Sequence, residues 1–328
     1  MLKYVTITNY LGNSVTYSLE GPSEDQPYRT TIDDPSGLFI TEIEGLGPVK
    51  ATINMTELAT ADGDIFNSSR LSGRNIVIKA RFTYAKTIEE ARLMSYKFFP
   101  IGHKLKFTVK TDNRTAMTEG YVESNEPVIF SPETDMQVSV LCESPFFLSV
   151  DDDGTKQTNF SNVVPMFEFP FYQLPGEEEP RGHYQNLGPD PVTEFGRVIN
   201  KKESTVYYDG DAETGCVIQL HAIGEVEMIS IYSIKTRDKM VLDTNKLAAL
   251  NLGDKFIYGD TITINTIKGR KSITLLRDGI TYNILNILGK DATWFQLARG
   301  DNLFAYTAEY GEQNVQFMVE SQIIFEGV

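Results

Sequence analysis

With three histidines, two cysteines and one tryptophan in 328 residues, the chain has little from which to build a metal centre or a redox site. His103, His183 and His221 stand apart, with no His-x-x-x-His or Cys-x-x-Cys spacing, which excludes the usual zinc and metalloprotease signatures. Cys142 and Cys216 lie too far apart in sequence for a disulfide framework and read as buried thiols of a reducing compartment. Basic residues are outnumbered, 30 against 45 acidic, for a net charge of −15. Wrapping duplex DNA needs clustered cations, so that function is excluded, whereas an acidic surface lets DNA pass without sticking. No apolar run approaches bilayer length, and Met1-Leu2-Lys3-Tyr4-Val5 lacks the pattern of a secretion signal, so no membrane insertion is expected.

The motifs that hint at chemistry each have a plainer reading. Gly269-Arg270-Lys271-Ser272 lacks the upstream glycine of a phosphate loop and joins two strands, where such a loop must open a helix. Asp151-Asp152-Asp153-Gly154 and Asp209-Gly210-Asp211 lack the twelve-residue calcium-loop pattern, and Arg299-Gly300-Asp301 is a turn between strands. Glu168 and the Glu177-Glu178-Glu179 run offer carboxylates but no opposed pair for glycoside hydrolysis, and there is no Gly-x-Ser-x-Gly elbow. No catalytic constellation and no cofactor site emerge. The chain reads as a binding or structural protein and not as an enzyme.

What is present is alternation. Arg74 to Phe82 and Lys104 to Lys110 switch between apolar and polar at every residue, the period of a half-buried strand. Between them Thr87 caps a helix that carries Ile88, Met94, Tyr96 and Phe98 and stops at Phe99-Pro100, with Glu90 placed to complete a capping box. Leu2 to Thr8 and Ser14 to Leu19 form a hairpin, and strands are expected at Leu38 to Ile43, Val49 to Met55, Thr118 to Val122, Val128 to Phe130 and Met136 to Leu141. Two long polar excursions interrupt them, Glu20 to Asp34 and Glu57 to Gly73. Loops of that length inside a domain are usually functional.

Two domains are expected, residues 1–148 and 149–328, the second with an exposed Pro- and Glu-rich insertion at 173–193. In this second half short strands follow one another without a helical period, among them Val217 to His221, Ile262 to Ile267, Thr281 to Ile287 and Asn314 to Phe325. Asp278-Gly279 marks a tight hairpin, and the whole suggests a β-sandwich. Trp294 is read first as a core aromatic and second as a platform for a sugar ring.

The order of these elements resembles the distal tail (Dit) protein family of long-tailed phages. The resemblance is carried by Gly45-Leu46-Gly47-Pro48, by Leu71-Ser72-Gly73-Arg74-Asn75-Ile76-Val77-Ile78, by Gly120-Tyr121-Val122-Glu123-Ser124 and by Cys142-Glu143-Ser144-Pro145-Phe146-Phe147. In the second half it is carried by Leu242-Asp243-Thr244, Asp278-Gly279 and Leu297-Ala298-Arg299-Gly300-Asp301-Asn302.

The resemblance implies a mainly β protein, with an N-terminal split β-barrel carrying one α-helix and a C-terminal galectin-like β-sandwich. It implies a structural virion protein of the tail tip, assembled in the host cytoplasm as a hexameric ring. Its implied neighbours are the major tail tube protein, a tail-associated lysin or hub protein and receptor-binding proteins, with DNA passing through the lumen. The residue set by which galectins hold galactose is not recognisable here, which counts against sugar binding by the sandwich; a carbohydrate-binding module for host cell-surface glycans is the alternative function. An open barrel leaves strand edges that a sister copy must cover. The candidate arm for that contact is Pro22, Pro27, Tyr28 and Arg29 in the first excursion; the second interface loop is Phe66 and Arg70.

Overall fold

The computed structural model describes residues 2–18, 38–58, 62–82, 87–127, 135–150, 155–165 and 196–328. The chain divides into two compact units. One comprises Met1–Thr155 with Gly210–Ala212 and Gln322–Val328, and the other comprises Lys156–Asp209 with Glu213–Ser321. The last residues of the chain therefore belong to the first unit.

Strands are numbered along the chain. The first unit carries β1 (Leu2–Asn9), β2 (Ser14–Ser18), β3 (Leu38–Glu44), β4 (Ala51–Glu57), β5 (Asp64–Leu71) and β6 (Arg74–Phe82). Helix α1 (Ile88–Phe98) follows, then β7 (Lys104–Thr111), β8 (Thr115–Pro127), β9 (Asp135–Cys142) and β10 (Phe147–Ser149). Seven of these form one antiparallel sheet in the order β2-β1-β7-β8-β9-β6-β3. Strand β10 pairs with β8 and with the chain's last strand, Ile324–Phe325. Alternation in the sequence becomes a single buried face: Val5 and Ile7, Leu105, Phe107 and Val109, Ile76 and Ile78, and Val138 and Val140 are all sealed from solvent.

Helix α1 closes over that face with Phe98 and Phe99, joined there by Phe147, Ile323 and Phe325. Thr87 caps the helix by accepting from the Glu90 amide at 3.2 Å. At the other end Asn125 of β8 donates to the carbonyls of Ser95 and Phe99, which fixes the helix to the sheet.

In the second unit a six-stranded and a four-stranded sheet stack. The larger runs β11 (Thr155–Asn159), β22 (Val315–Gln322), β15 (Cys216–Ala222), β18 (Thr261–Asn265), β19 (Ser272–Arg277) and β20 (Ile280–Asn283). The smaller runs β14 (Glu203–Tyr208), β21 (Gly300–Tyr310), β16 (Glu227–Ser233) and β17 (Asp238–Leu242), and β12 (Ser161–Pro165) pairs with β13 (Gly196–Asn200) separately. Tyr306 of β21 stacks on Phe317 of β22, ring centroids 5.2 Å apart, so the two sheets face each other across a core. The expected Asp278-Gly279 turn has both residues at positive φ, 51° and 76°, as a two-residue hairpin of this hand requires. The protein is mainly β.

Several elements differ from the expectation. Strand β8 runs thirteen residues where Thr118 to Val122 was expected, because Thr115 to Met117 pair with β7 despite their weak alternation. The stretch expected as one strand from Asn314 is broken into β22 and the short last strand β23 (Ile324–Phe325), and Thr281 to Ile287 divides into β20 and a 3-10 turn at Leu285–Ile287. Glu57 to Gly73, expected as a loop, contains strand β5 over Asp64–Leu71. The strand expected at Val128 to Phe130, the arm residues Pro22, Pro27, Tyr28 and Arg29, and the insertion at 173–193 lie outside the described residues.

Candidate interaction surface

Strands β4 and β5 make a two-stranded antiparallel hairpin of their own, joined to no other strand among the described residues. Every residue of both strands is exposed. Register sorts the side chains into two faces. Ala51 sits opposite Leu71, Ile53 opposite Ser69 and Met55 opposite Phe66, whereas Thr52 faces Arg70, Asn54 faces Ser68 and Thr56 faces Ile65. One face is thus apolar, formed by Ala51, Ile53, Met55, Phe66 and Leu71. The other is polar and internally tied, with the Asn54 amide donating to the Ser68 hydroxyl at 2.9 Å and the Asn67 amide to the Thr56 hydroxyl.

A bulge between Asn54 and Met55 restores Phe66 to the apolar side after the Asn67-Ser68-Ser69 run. Ile53, Met55 and Phe66 are 54%, 56% and 59% exposed, an apolar surface left open among the described residues.

The root of the hairpin is built far more firmly than its body. Arg74, the first residue of β6, is buried, and its guanidinium donates to four backbone carbonyls: Gly45 (2.5 Å), Gly47 (2.6 Å), Pro145 (2.8 Å) and Glu326 (2.6 Å). The same group lies over the Phe147 ring at 4.2 Å. Burial pulls its pKa below the ordinary arginine value, since no carboxylate is among these partners.

Two glycines set the approach. A Cβ at Gly45, where φ is +90°, would stand 2.1 Å from the Asn75 carbonyl oxygen, and one at Gly73 would stand 2.5 Å from that of Cys142. The chain leaving β3 and the chain entering β6 are therefore clamped together, and the hairpin projects from the clamp. A second arginine, Arg114, lies over the Phe325 ring at 4.2 Å and pairs with Asp211 at 2.7 Å, so the chain's last residues are held to the first unit at two points.

Of the residues singled out from sequence, Phe66 stands on the apolar face of the hairpin and Arg70 on the polar one, both on a strand and not on a loop. Polar residues on a hairpin bare on both sides show no burial period, which is why the stretch passes for loop. Trp294 lies in the second unit, half-buried beside the buried Phe295, with the Lys271 ammonium 5.3 Å over its ring.

Ile53, Met55 and Arg74 were not among the residues singled out from sequence. The alternation Ala51-Thr52-Ile53-Asn54-Met55-Thr56 was the available signal for the first two. For Arg74 none exists, because its acceptors come from four separated places in the chain. Both cysteines are free and buried, and burial pushes the Cys216 thiol up to about 12. No group of three metal-ligating side chains gathers among the described residues, and no helix there is long and apolar enough to cross a membrane.

An antiparallel sheet closed by one helix, followed by a two-sheet sandwich, is also the fold of a solved phage protein. Across 98% of this chain and 99% of the other, the fold matches the crystal structure of the Dit protein of phage SPP1, described there as a paradigm of the hub adsorption apparatus in phages infecting Gram-positive bacteria. The TM-score is 0.59 and the identity 10%. A chain of the phage P2 baseplate in its activated conformation with calcium aligns over 98% of both chains at a TM-score of 0.40 and 8% identity. No protein-family model and no curated protein sequence matches the chain.

Proposed function

We propose that this chain is a structural protein of a phage tail tip, a distal-tail-type adaptor that assembles with copies of itself and does no catalysis. The observation that carries the reading is the amphipathic hairpin β4–β5, fully exposed yet anchored by Arg74, on a unit with the fold of a Dit protein. A lone two-stranded hairpin is marginal in water, and one with a bare apolar face is stabilised by covering that face. In the finer form of the proposal the cover is a neighbouring copy in a hexameric ring. The ring continues the tube formed by the major tail tube protein, carries the hub or lysin protein and receptor-binding proteins, and lets DNA through its lumen. It is assembled in the host cytoplasm and resides in the virion.

Light scattering on the purified full chain tests self-assembly. A mass several times that of one protomer, with rings in negative stain, is the expected result. A chain that stays monomeric at every concentration, together with virions whose tips carry no labelled copy, overturns the proposal.

A further inference from the structure

The hairpin's apolar face has a counterpart on the same unit. Helix α1 buries Ser95, Phe98 and Phe99 but turns Leu93 and Tyr96, three residues apart, outward, and Ile101 follows just past its cap. Leu93 is 60% exposed and Ile101 66%, the two barest apolar side chains of the first unit among the described residues apart from Leu11. The two surfaces are separated along β6. The hairpin enters that strand at Arg74, whereas α1 follows its far end at Phe82 and is tied through Asn125 to the level of Val138 and Ile78.

A head-to-tail contact needs just this: two different patches on one protomer that do not overlap. They also suit each other in kind, since an apolar sheet face ordinarily buries itself against a helix. Another bare apolar pair, Tyr121 with Leu141, lies at the same end of the sheet as the hairpin root and does not make an opposite pole.

Charge sets the direction of docking. Glu57, Asp62 and Asp64 crowd the hairpin tip, exposed and without an ion pair among the described residues. Lys97, exposed in the last turn of α1, also has none, while Glu89 and Glu90 occupy the first turn. An acidic tip is repelled from the start of the helix and attracted to its end.

Building on the self-assembly reading above, we infer that the apolar face of β4–β5 in one copy docks on the outward face of α1 in the next. Ile53, Met55 and Phe66 then cover Leu93 and Tyr96, and the acidic tip lies toward Lys97.

Cross-linking between differently substituted full-length chains tests this. Phe66→Cys mixed with Leu93→Cys should give a disulfide-linked dimer under mild oxidation, and neither variant alone should give one. Phe66→Cys mixed with Tyr121→Cys should stay unlinked. Leu93→Lys should weaken association at least about 30-fold, the loss of one central contact, while the thermal unfolding of the protomer is unchanged. Lys97→Glu should weaken it too and be restored by Asp64→Lys on the neighbouring copy. An assembly that forms but links Phe66 to Tyr121, or that survives Leu93→Lys intact, overturns this docking and leaves the adaptor reading standing. A chain monomeric under all conditions overturns both.

Discussion

Two hairpins of the first unit make a natural pair. Strands β7 and β8 and strands β4 and β5 both carry apolar residues on one face and polar residues on the other. In the first, Leu105, Phe107 and Val109 are fully buried; in the second, Ile53, Met55 and Phe66 are more than half exposed. The pattern is the same and the surroundings differ. Alternation encodes that a strand has an inner face. It does not encode whether the chain itself supplies the cover, and here the described residues cover one hairpin and leave the other bare.

The sharpest way to break the comparison is to truncate the same residue type in each hairpin. Phe107→Ala should cost the first unit about 3–5 kcal/mol, the loss of a buried ring plus the cavity it leaves, read as a lower urea midpoint. If Phe107→Ala unfolds no more easily than the wild type, the buried face is not the core.

Next in size is Arg74→Met. Its aliphatic part is kept, but four partly buried carbonyls lose their donor, and a loss of about 3 kcal/mol is expected, with faster amide exchange through β4 and β5. Unchanged exchange in the hairpin would show that the clamp does not hold it. Gly45→Ala acts at the same place through the backbone. It combines positive φ with a Cβ 2.1 Å from a carbonyl oxygen, and about 2 kcal/mol should be lost. At Gly12, also at positive φ but in open space, the same change should cost clearly less.

A covered face also shows itself in titration. Cys216 lies on the buried side of β15, and its thiol is held neutral up to about 12 against an ordinary value of 9.0. Between those values the unfolded chain has released the proton and the folded one has kept it. Stability is therefore intact below pH 9 and falls as pH rises, by at most about 1.4 kcal/mol per pH unit from this group. In Cys216→Ala that share of the slope should vanish; equal slopes in the two proteins would mean that the thiol is not shielded.

Sequence carries some of this and not the rest, for physical reasons. Strands with a covered face are legible because burial forces alternation, as in Arg74 to Phe82 and Lys104 to Lys110, and the helix is legible from Thr87 and Pro100. Of the bare hairpin, the first strand is legible through Ile53 and Met55. The second is not, because the bulge sets Ile65 beside Phe66 and a polar run follows. The clamp cannot be read at all: Arg74 looks like any strand-initial arginine until Gly45, Gly47, Pro145 and Glu326 are brought to it. Nor does any local signal say that Ile323 and Phe325 return to the core of the first unit.

The smallest effect is expected at Phe66, and it separates folding from assembly. Phe66→Ala removes as large a ring as Phe107→Ala, yet the ring touches little within its own chain, so protomer stability should stay within about 0.5 kcal/mol of the wild type. What should change is association, because the lost area is area that a neighbour buries. Urea unfolding at a dilution where the protomer is alone, set beside light scattering at high concentration, reads the two quantities separately. A Phe66→Ala protomer several kcal/mol less stable would mean that the hairpin packs within its own chain. A stable protomer that assembles as well as the wild type would mean that the bare face is not where copies meet.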